Sequence, residues 1–400
     1  MVAKEDVYQH QRIFERWREK YIERLRPEDR EDVERLIKEL LAQGYSIGRV
    51  LKYLNCLVSI NKQVKKPLRE LAEEDIKEWA AWLNTSDYKA WTKHDLQVIL
   101  KRYLNWLGKP EVAAWLKPKQ PKNNKLPEEV LTEEEIKRIA EVAYTTRDKA
   151  FVLTLYESGA RIGEFLPLKL KHVTFDQYGA ILRVEGKTGT RRIRIIGSAI
   201  ALQRWIEEHP KKSDPDAYLW CKIPTPNNPK WVNRHLSYQV ACKILRELAQ
   251  KAGVKKKVNP HAFRHARATH LAKILTEAQM KEFFGWVQDS DMAATYVHLS
   301  GRDVDNTLLG AYGIKEAQEN NKPLLQPQEC PKCKEVNDPA SRFCHRCGMP
   351  LGESFLVAED SLEERIAKLE EQMQVLVEVK DLLSEIKVTR AIAEAVKGKG

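Results

Sequence analysis

The sequence predicts a mostly α-helical protein with one small β-hairpin or sheet, followed by a cysteine-rich module and a terminal helix. Three observations support this fold class. Apolar residues recur at spacings of three and four through residues 1–117. One segment, 180–196, alternates apolar and polar residues as a hairpin does, and two Cys-x-x-Cys motifs lie towards the C-terminus. Because 400 residues exceed one ordinary core, we expect two or three domains.

Residues 1–117 are predicted to form a helical domain. Two apolar stripes have helical spacing: Val33, Leu36, Ile37, Leu40 and Leu41, then Leu96, Ile99, Leu100, Tyr103, Leu104 and Leu107. We expect the tryptophans to fill a small core and not to stack on bases: Trp79, Trp82, Trp91, Trp106 and Trp115. Basic residues lie between the stripes: Lys62, Lys65, Lys66, Arg69, Lys93, Lys101 and Arg102. They are consistent either with a DNA-binding surface or with ordinary solvated helix faces.

A second domain is predicted to follow a basic linker. The run Lys117-Pro-Lys-Gln-Pro-Lys-Asn-Asn-Lys125 lacks apolar periodicity, which indicates an extended linker over 118–130. Thr132 and Glu135 then have the spacing of a helix N-cap and its capping-box partner. We therefore expect the second domain to span 131–313.

A β-hairpin is predicted within this domain. Residues 180–185 and 191–196 alternate apolar and polar side chains around the turn Gly186-Lys187-Thr188-Gly189. The Gly-Lys-Thr sequence does not indicate a nucleotide-binding P-loop, because six residues separate Gly186 from the nearest upstream glycine, Gly179, where that motif needs four. Lys187 at the tip could reach a DNA phosphate.

Three short segments contain side chains suited to phosphate chemistry. They are Glu157-Ser-Gly-Ala-Arg161-Ile-Gly-Glu164, His261-Ala-Phe-Arg264-His265, and Phe284-Gly-Trp286 continuing to Thr295-Tyr296-Val-His298. Two guanidinium groups can hold the oxygens of a phosphate, and a tyrosine can attack its phosphorus. A histidine can transfer protons near neutral pH, and an indole N–H can donate to an anion.

Individual residues in these segments allow further expectations. Arg161 lies between apolar stretches, so it needs an anionic partner, either Glu164 or a bound phosphate. Pro260 can open a helix, so that His261 and Arg264 share one face. We expect His265 and His270 to pack the helix or to support the site from behind. Tyr312, the nearby rival of Tyr296, lacks the flanking pattern.

Together the three segments resemble the catalytic domain of tyrosine recombinases, the integrase family, particularly its archaeal members. The resemblance spans residues 1–313 and is strongest from Leu131 onward. It implies a helical core-binding DNA-clamp domain at 1–117 and a mixed α+β catalytic domain at 131–313. It also implies a site-specific recombinase that binds double-stranded DNA as a homotetramer on paired sites and is a monomer or dimer when free. Neither ATP nor a catalytic metal would be needed.

The resemblance also implies roles for individual residues. Tyr296 would be the nucleophile that forms a 3′-phosphotyrosyl link, while Arg161 and Arg264 would stabilise the transition state. His261 would assist proton transfer, and Lys187 would protonate the leaving 5′-oxygen. Most of the family has histidine where this chain has Trp286, whose indole N–H would brace the phosphate instead.

Two other functions fit the same residues. A type IB topoisomerase-like enzyme would use them to nick and close one strand without pairing two sites. A non-catalytic zinc-ribbon DNA-binding protein would have a degenerate catalytic domain, although its reactive positions are all present in the sequence.

The four cysteines near the C-terminus predict a structural zinc site. Cys330, Cys333, Cys344 and Cys347 form two knuckles separated by ten residues. Such a pair can complete a closed tetrahedral site, and we expect a zinc ribbon at 328–352. Disulfides are disfavoured in a reducing compartment. The isolated cysteines are expected to be small apolar residues: Cys56, Cys221 and Cys242.

The last segment, 359–397, predicts an amphipathic or coiled-coil helix. Leu362, Ile366, Leu369, Met373 and Leu376 alternate spacings of four and three, as in a coiled-coil seam. The seam then shifts to a second set: Val379, Leu383 and Ile386. A single amphipathic helix packed on another domain is the alternative.

Net charge and hydropathy predict the partner and the compartment. The formal net charge is +11 at pH 7, which favours a polyanionic partner such as DNA. The sequence contains neither a membrane-spanning apolar run nor the apolar stretch of a signal peptide. We therefore expect a cytoplasmic, nucleoid- or DNA-associated protein.

Overall fold

The computed structural model describes residues 6–121, 130–186, 189–226, 228–299, 312, 325–351 and 373. Over these residues the protein is mostly helical, with a small antiparallel sheet, as the sequence predicts. The chain divides into two units, one made of residues 1–130 and 235–241 and the other of 131–234 and 242–400. None of the described helices is both long enough and apolar enough to cross a lipid bilayer.

The first unit is a bundle of helices α1 (His10–Glu23), α2 (Pro27–Ala42), α3 (Ile47–Gln63), α4 (Glu73–Thr85) and α5 (Ala90–Trp106). Two 3₁₀ turns, Leu68–Glu70 and Pro110–Ala113, complete it. Helix α3 is central and packs against α1, α2 and α5. The predicted stripes face this core except for Leu41, which is exposed, and Leu107, which is half-buried.

Buried polar groups fix the register of this bundle. The carboxylate of Asp29 on α2 accepts hydrogen bonds from the Asn61 amide on α3 and from the backbone N–H of Leu68, the latter at 2.7 Å. Asp32, one turn later, pairs with Arg69. Because such groups are costly to bury without partners, these bonds favour one alignment of α2, α3 and the first 3₁₀ turn.

The prediction that all five tryptophans fill the core is wrong. Trp79 is only 4% exposed, and Trp106 is half-buried with its indole N–H bonded to Glu39. Trp82, Trp91 and Trp115 are 38%, 41% and 37% exposed. A tryptophan can cover a helix surface with one face of its ring, so helical spacing alone does not indicate full burial.

The second unit surrounds helix α7 (Thr146–Ser158), which packs against α6 (Glu133–Glu141), α9 (Ala199–Glu207) and α11 (Pro260–Leu271). The remaining helices are α8 (Ile162–Phe165), α12 (Glu277–Phe284), α13 (Met292–Leu299) and, from Cys242 onward, α10 (Tyr238–Lys251), with 3₁₀ turns at Leu170–His172 and Pro229–Asn233. The predicted capping box at the start of α6 is present, with Thr132 and Glu135 bonded reciprocally.

The sheet of this unit is the meander β1 (Val173–Asp176), β2 (Gly179–Gly186) and β3 (Gly189–Ile195). The predicted hairpin is confirmed, and its ladder runs from the Ala180–Ile195 pair to the Gly186–Gly189 pair. Leu182, Val184 and Ile193 face the core, as alternation requires. Strand β1 was not predicted from the sequence, because it is short and mostly exposed.

A small cysteine module, 325–351, belongs to the same unit and contains strands β4 (Gln328–Glu329) and β5 (Val336–Asn337). The predicted C-terminal helix at 359–397 lies outside the described residues apart from Met373, as does most of the predicted linker.

Candidate active site

Helix α11 carries Arg264, a buried residue of the predicted site. Its start is set by Asn259, whose side chain caps the N–H of Ala262, and by Pro260 in the first turn. Arg264, in the second turn, is only 5% exposed. Its guanidinium donates to the carbonyl of Gly159 at 2.7 Å and to that of Phe284 at 2.8 Å. The side chain is therefore held in one orientation by backbone groups.

Arg161 lies beside Arg264, because both donate to the carbonyl of Phe284. Helix α7 ends at Gly159, which has a φ of 53° and so allows the chain to turn sharply into Arg161. The Arg161 guanidinium donates to the carbonyl of Gly285 at 3.2 Å and to the Glu164 carboxylate at 3.1 Å. Glu164 is therefore an anionic partner of Arg161, as the sequence analysis allowed.

The C-terminus of α12 brings the two arginines together. The last carbonyls of a helix have no partner within the helix and carry partial negative charge. Here the carbonyl of Phe284 accepts from Arg264, and also from Arg161 at 3.4 Å, while that of Gly285 accepts from Arg161. Two like charges can therefore lie close together because one helix end neutralises part of each.

A third arginine, which the sequence did not single out, completes this cluster. Arg191 on β3 donates to the Glu164 carboxylate at 2.8 Å and to the carbonyl of Phe283 at 3.1 Å. Its Nη1 is buried and has no hydrogen-bond partner within the described part of the chain. Burial alone would raise the pKa of Glu164, but bonds and charges from Arg191 and Arg161 lower it below its ordinary value. Glu164 is therefore an ionised bridge between the two arginines.

The cluster has an excess of positive charge. Arg161, Arg191 and Arg264 face one carboxylate, that of Glu164. Burial, together with the charge of Arg161, lowers the pKa of Arg264 to about 9. The charged form of Arg264 is thus destabilised, and an anion bound beside it would offset that cost. A phosphate has the charge and the acceptor oxygens to do so.

Tyr296 lies beside this cluster, on α13. Its ring is parallel to that of Trp286, with centroids 5.6 Å apart and an interplanar angle of 3°. Trp286 in turn stacks on Phe284, and the Arg264 guanidinium lies 5.6 Å from the Trp286 ring. Tyr296 is only 4% exposed, and this burial raises the pKa of its hydroxyl to about 12. The hydroxyl is therefore protonated at neutral pH and needs an acceptor to become a nucleophile.

A histidine of α11 contacts this hydroxyl. The Tyr296 hydroxyl is hydrogen-bonded to Nδ1 of His265, which we expected only to pack or support the helix. His261 is exposed, and its ring lies 4.2 Å from that of His265 in an edge-to-face arrangement. The expectation for His270 is confirmed, because it packs behind the site with Nδ1 2.7 Å from the Tyr156 hydroxyl. In the sequence, the four-residue spacing between His261 and His265 was the feature that placed both histidines on one helix face.

Lys187 lies outside the described residues, but the end of its hairpin is described. The Gly186–Gly189 pair closes the ladder, and a side chain at Gly186 would collide with the Glu164 carboxylate. The hairpin therefore ends beside the arginine cluster.

The four cysteines of the module converge. All four Sγ atoms lie within 4.8 Å of one another, and the Cys330–Cys347 and Cys333–Cys344 pairs are 3.6 and 3.5 Å apart. These distances exceed the roughly 2.05 Å of a disulfide. They are close to the spacing of about 3.8 Å expected between thiolates around one zinc ion.

The backbone of the module is also arranged for such a site. Each knuckle turns through a left-handed residue four positions after its first cysteine, Lys334 with a φ of 60° and Gly348 with a φ of 73°. Glycine suits this left-handed turn at Gly348 because it has no side chain to strain the backbone.

One buried carboxylate attaches the cysteine module to the helices of its unit. The side chain of Asp338 is 1% exposed and lies 3.8 Å from the Lys149 ammonium on α7 and 3.4 Å from the Arg204 guanidinium on α9. It also accepts from the hydroxyl of Ser341 at 2.5 Å. The module is therefore attached through paired, buried charges.

Comparisons with known proteins agree with this geometry. Residues 129–302 match the phage integrase family. The chain is 33% identical over 199 residues to tyrosine recombinase XerA of Pyrococcus horikoshii, covering 49% of this chain and 65% of the relative. It is 36% identical over 176 residues to XerA of Pyrococcus furiosus, covering 43% of this chain and 57% of the relative. The chain thus spans less than two thirds of the length of these relatives.

Solved structures show the same fold. A lambda integrase tetramer bound to a Holliday junction matches with a TM-score of 0.53 and 15% identity, covering 69% of this chain and 78% of that one. The Tn1549 transposon integrase in complex with circular intermediate DNA matches with a TM-score of 0.52 and 16% identity, covering 71% and 99%. Residues 129–302 therefore match the phage integrase family, and the described residues share the fold of solved integrases.

Proposed function

We propose that this protein is a site-specific DNA recombinase that cuts and rejoins strands through a covalent 3′-phosphotyrosyl intermediate. The observation that carries the proposal is the position of Tyr296 beside a buried cluster with surplus positive charge. Arg264 and Arg161 are oriented by the carbonyls at the end of α12, and Tyr296 is stacked on Trp286 next to them. A buried phenol beside an anion site is suited to attack on a phosphate.

In this mechanism the phosphate binds between the two arginines. Their orientation is fixed before the substrate arrives, so little reorganisation is needed when negative charge grows in the transition state. The Tyr296 oxygen attacks phosphorus and the bond to the 5′-oxygen breaks, while His261 assists proton transfer. The phosphotyrosyl ester conserves the energy of the broken bond, so the reaction requires neither ATP nor a catalytic metal.

Lys187 and Trp286 have supporting roles in the proposal. Lys187 protonates the leaving 5′-oxygen from the hairpin tip, and the closeness of Gly186 to Glu164 supports this role. Trp286 orients the nucleophile by stacking and braces the phosphate through its indole N–H.

The substrate is proposed to be double-stranded DNA. The first unit, with the helical region 1–117, would clamp the DNA, and 131–313 would be the catalytic domain joined to it by the basic linker 118–130. The net charge of +11 supports a polyanionic partner. We propose a homotetramer on paired DNA sites, in line with the lambda integrase tetramer on a Holliday junction, and a monomer or dimer when free.

The cysteine module is proposed to be a zinc ribbon with a structural ion. The ligands would be the four convergent cysteines: Cys330, Cys333, Cys344 and Cys347. Four thiolates complete a tetrahedron and leave no position at which the ion could activate water. The ion would stabilise the fold of the module, and the helix at 359–397 would follow it as an amphipathic or coiled-coil segment.

The test is capture of covalent protein on a nicked suicide DNA substrate. Tyr296→Phe removes only the phenolic oxygen, so the variant should fold and bind DNA but form no adduct. Tyr312→Phe is the matched control, because Tyr312 is 79% exposed and should be dispensable. An undiminished adduct in Tyr296→Phe would overturn the assignment of the nucleophile.

A second assay separates the alternative functions. Wild-type protein supplied with two DNA sites should exchange strands between them. Relaxation of supercoiled DNA without exchange would instead indicate a type IB topoisomerase-like enzyme. Binding without any adduct would indicate a non-catalytic DNA-binding protein.

A further inference from the structure

His265, a residue not included in the proposed catalytic set, contacts the reacting oxygen. The Tyr296 hydroxyl and His265 Nδ1 form a hydrogen bond, and their rings are 5.6 Å apart and tilted by 44°. Stacking of Tyr296 on Trp286 fixes the ring from its face, so the hydroxyl has a defined direction. The contact therefore follows from the packing of α13 against α11 and not from a flexible surface side chain.

The direction of this hydrogen bond follows from the environment of the phenol. Burial raises the pKa of Tyr296 to about 12, so its oxygen carries a proton at neutral pH. A buried O–H is costly without an acceptor, whereas a neutral imidazole with its proton on Nε2 offers a lone pair at Nδ1. The phenol is therefore the donor and His265 the acceptor.

We propose that His265 is a further catalytic residue, the general base that takes the proton of Tyr296 as it attacks. This inference rests on the proposed recombinase function. The Oη–H bond breaks and the proton moves to Nδ1, while an oxygen lone pair forms the bond to phosphorus. The bond from phosphorus to the 5′-oxygen breaks. The 5′-oxygen keeps the electron pair of that bond and receives a proton from Lys187. On religation the imidazolium returns its proton to the phenolic oxygen.

Neighbouring groups favour this assignment. His261, Arg264 and His265 share one face of α11 at spacings of three and four, so the base and the anion-binding arginine move as one rigid element. The ring of His261 lies against that of His265 and can hold its orientation. A phosphate held at the arginine cluster would stabilise the imidazolium that forms.

The structure also contains a matched control for the experiment. His270, on the same helix, has its Nδ1 2.7 Å from the hydroxyl of another buried tyrosine, Tyr156. Replacing either histidine with asparagine removes a basic nitrogen and leaves an amide oxygen to accept from the phenol. If the loss of a Tyr–His pair mattered only for stability, the two variants would behave alike.

The experiment compares single-turnover adduct formation on two suicide substrates, one with the natural 5′-oxygen and one with sulfur at the bridging position. A thiolate leaves without protonation, so sulfur bypasses the leaving-group acid but not the base at the nucleophile. We expect His265→Asn to slow both substrates by the same factor, roughly 10²–10⁴. Lys187→Ala should form the adduct slowly on the oxygen substrate and at the wild-type rate on the sulfur substrate. His270→Asn should match the wild-type rate on both substrates.

Several outcomes would overturn the proposal. One such outcome is a wild-type rate of adduct formation in His265→Asn. Another is a slow His265→Asn variant whose rate returns to that of wild type on the sulfur substrate, which would assign His265 to protonation of the leaving group. An equal loss in His270→Asn would indicate a structural effect, and a sulfur-insensitive defect in His261→Asn alone would assign the base to His261. His265→Gln repeats the test with another shape if the first variant is poorly folded. If wild-type protein forms no adduct on either substrate, the proposed recombinase function fails instead.

Discussion

Replacing Arg264 with lysine tests whether the arginine cluster is both a structural and a catalytic element. Arg264 donates to two carbonyls, those of Gly159 and Phe284, from a side chain that is almost fully buried. A single ammonium group cannot reproduce this planar fork. At about 1–3 kcal/mol for each of the two buried acceptors that loses its donor, Arg264→Lys should lower stability by about 2–6 kcal/mol.

Arg161→Lys is the matched comparison. The Arg161 side chain is 39% exposed, so water can replace part of its bonding and we expect a stability loss within about 1 kcal/mol. Both variants should nevertheless cleave about 10²–10³-fold more slowly, because each loses a donor that is oriented towards the transition-state charge.

Three measurements on each variant separate these effects. Thermal unfolding should show a lower melting temperature for Arg264→Lys, by on the order of 10 °C, and little change for Arg161→Lys. Gel-shift titration should show DNA affinity near that of wild type, and adduct formation on the nicked substrate gives the cleavage rate. If DNA affinity falls as far as cleavage in both variants, the arginines position the DNA and do not stabilise the transition state, and the reasoning is refuted.

Because bonds from Arg191 and Arg161 hold the pKa of Glu164 below its ordinary value, this carboxylate contributes stability above about pH 4.3 that is lost as pH falls through the lowered pKa. In Glu164→Gln the free energy of unfolding should therefore fall less steeply at acid pH than in wild type. An unchanged dependence on pH would contradict the ion-pair assignment. Metal analysis without chelators should find about one zinc per chain, and its absence would exclude the zinc ribbon. A folded variant ending near Gly313 should still form the adduct on a nicked substrate, even where it no longer completes recombination. The metal would instead be catalytic if this variant formed no adduct and zinc alone restored adduct formation to the full-length apo-protein. Asp338→Asn should make residues 325–351 sensitive to protease while adduct formation persists, because it weakens the pairing with Lys149 and Arg204.

The sequence predicted the elements whose signals are local. The hairpin follows from strict alternation, and the start of α11 follows from Pro260. Convergence of the four cysteines follows from two short knuckles. Each of these features depends on residues close together in the chain, so residue types and their spacing are enough to predict it. The periodic stripes of the first unit were predicted for the same reason, although exposed tryptophans show that period alone does not measure burial.

Tertiary structure decided how the site is held together. Arg264 is oriented by a carbonyl 105 residues away in sequence, and Arg161 by one 124 residues away. Backbone carbonyls have no sequence signature, so only the packing of α12 could reveal them as the common support of both arginines. Tertiary packing also brought Arg191 to Glu164, and the packing of α13 against α11 brought His265 to Tyr296. The sequence thus determined which reactive groups are present, whereas the contacts between distant helix ends determined which of them share a charge or a proton.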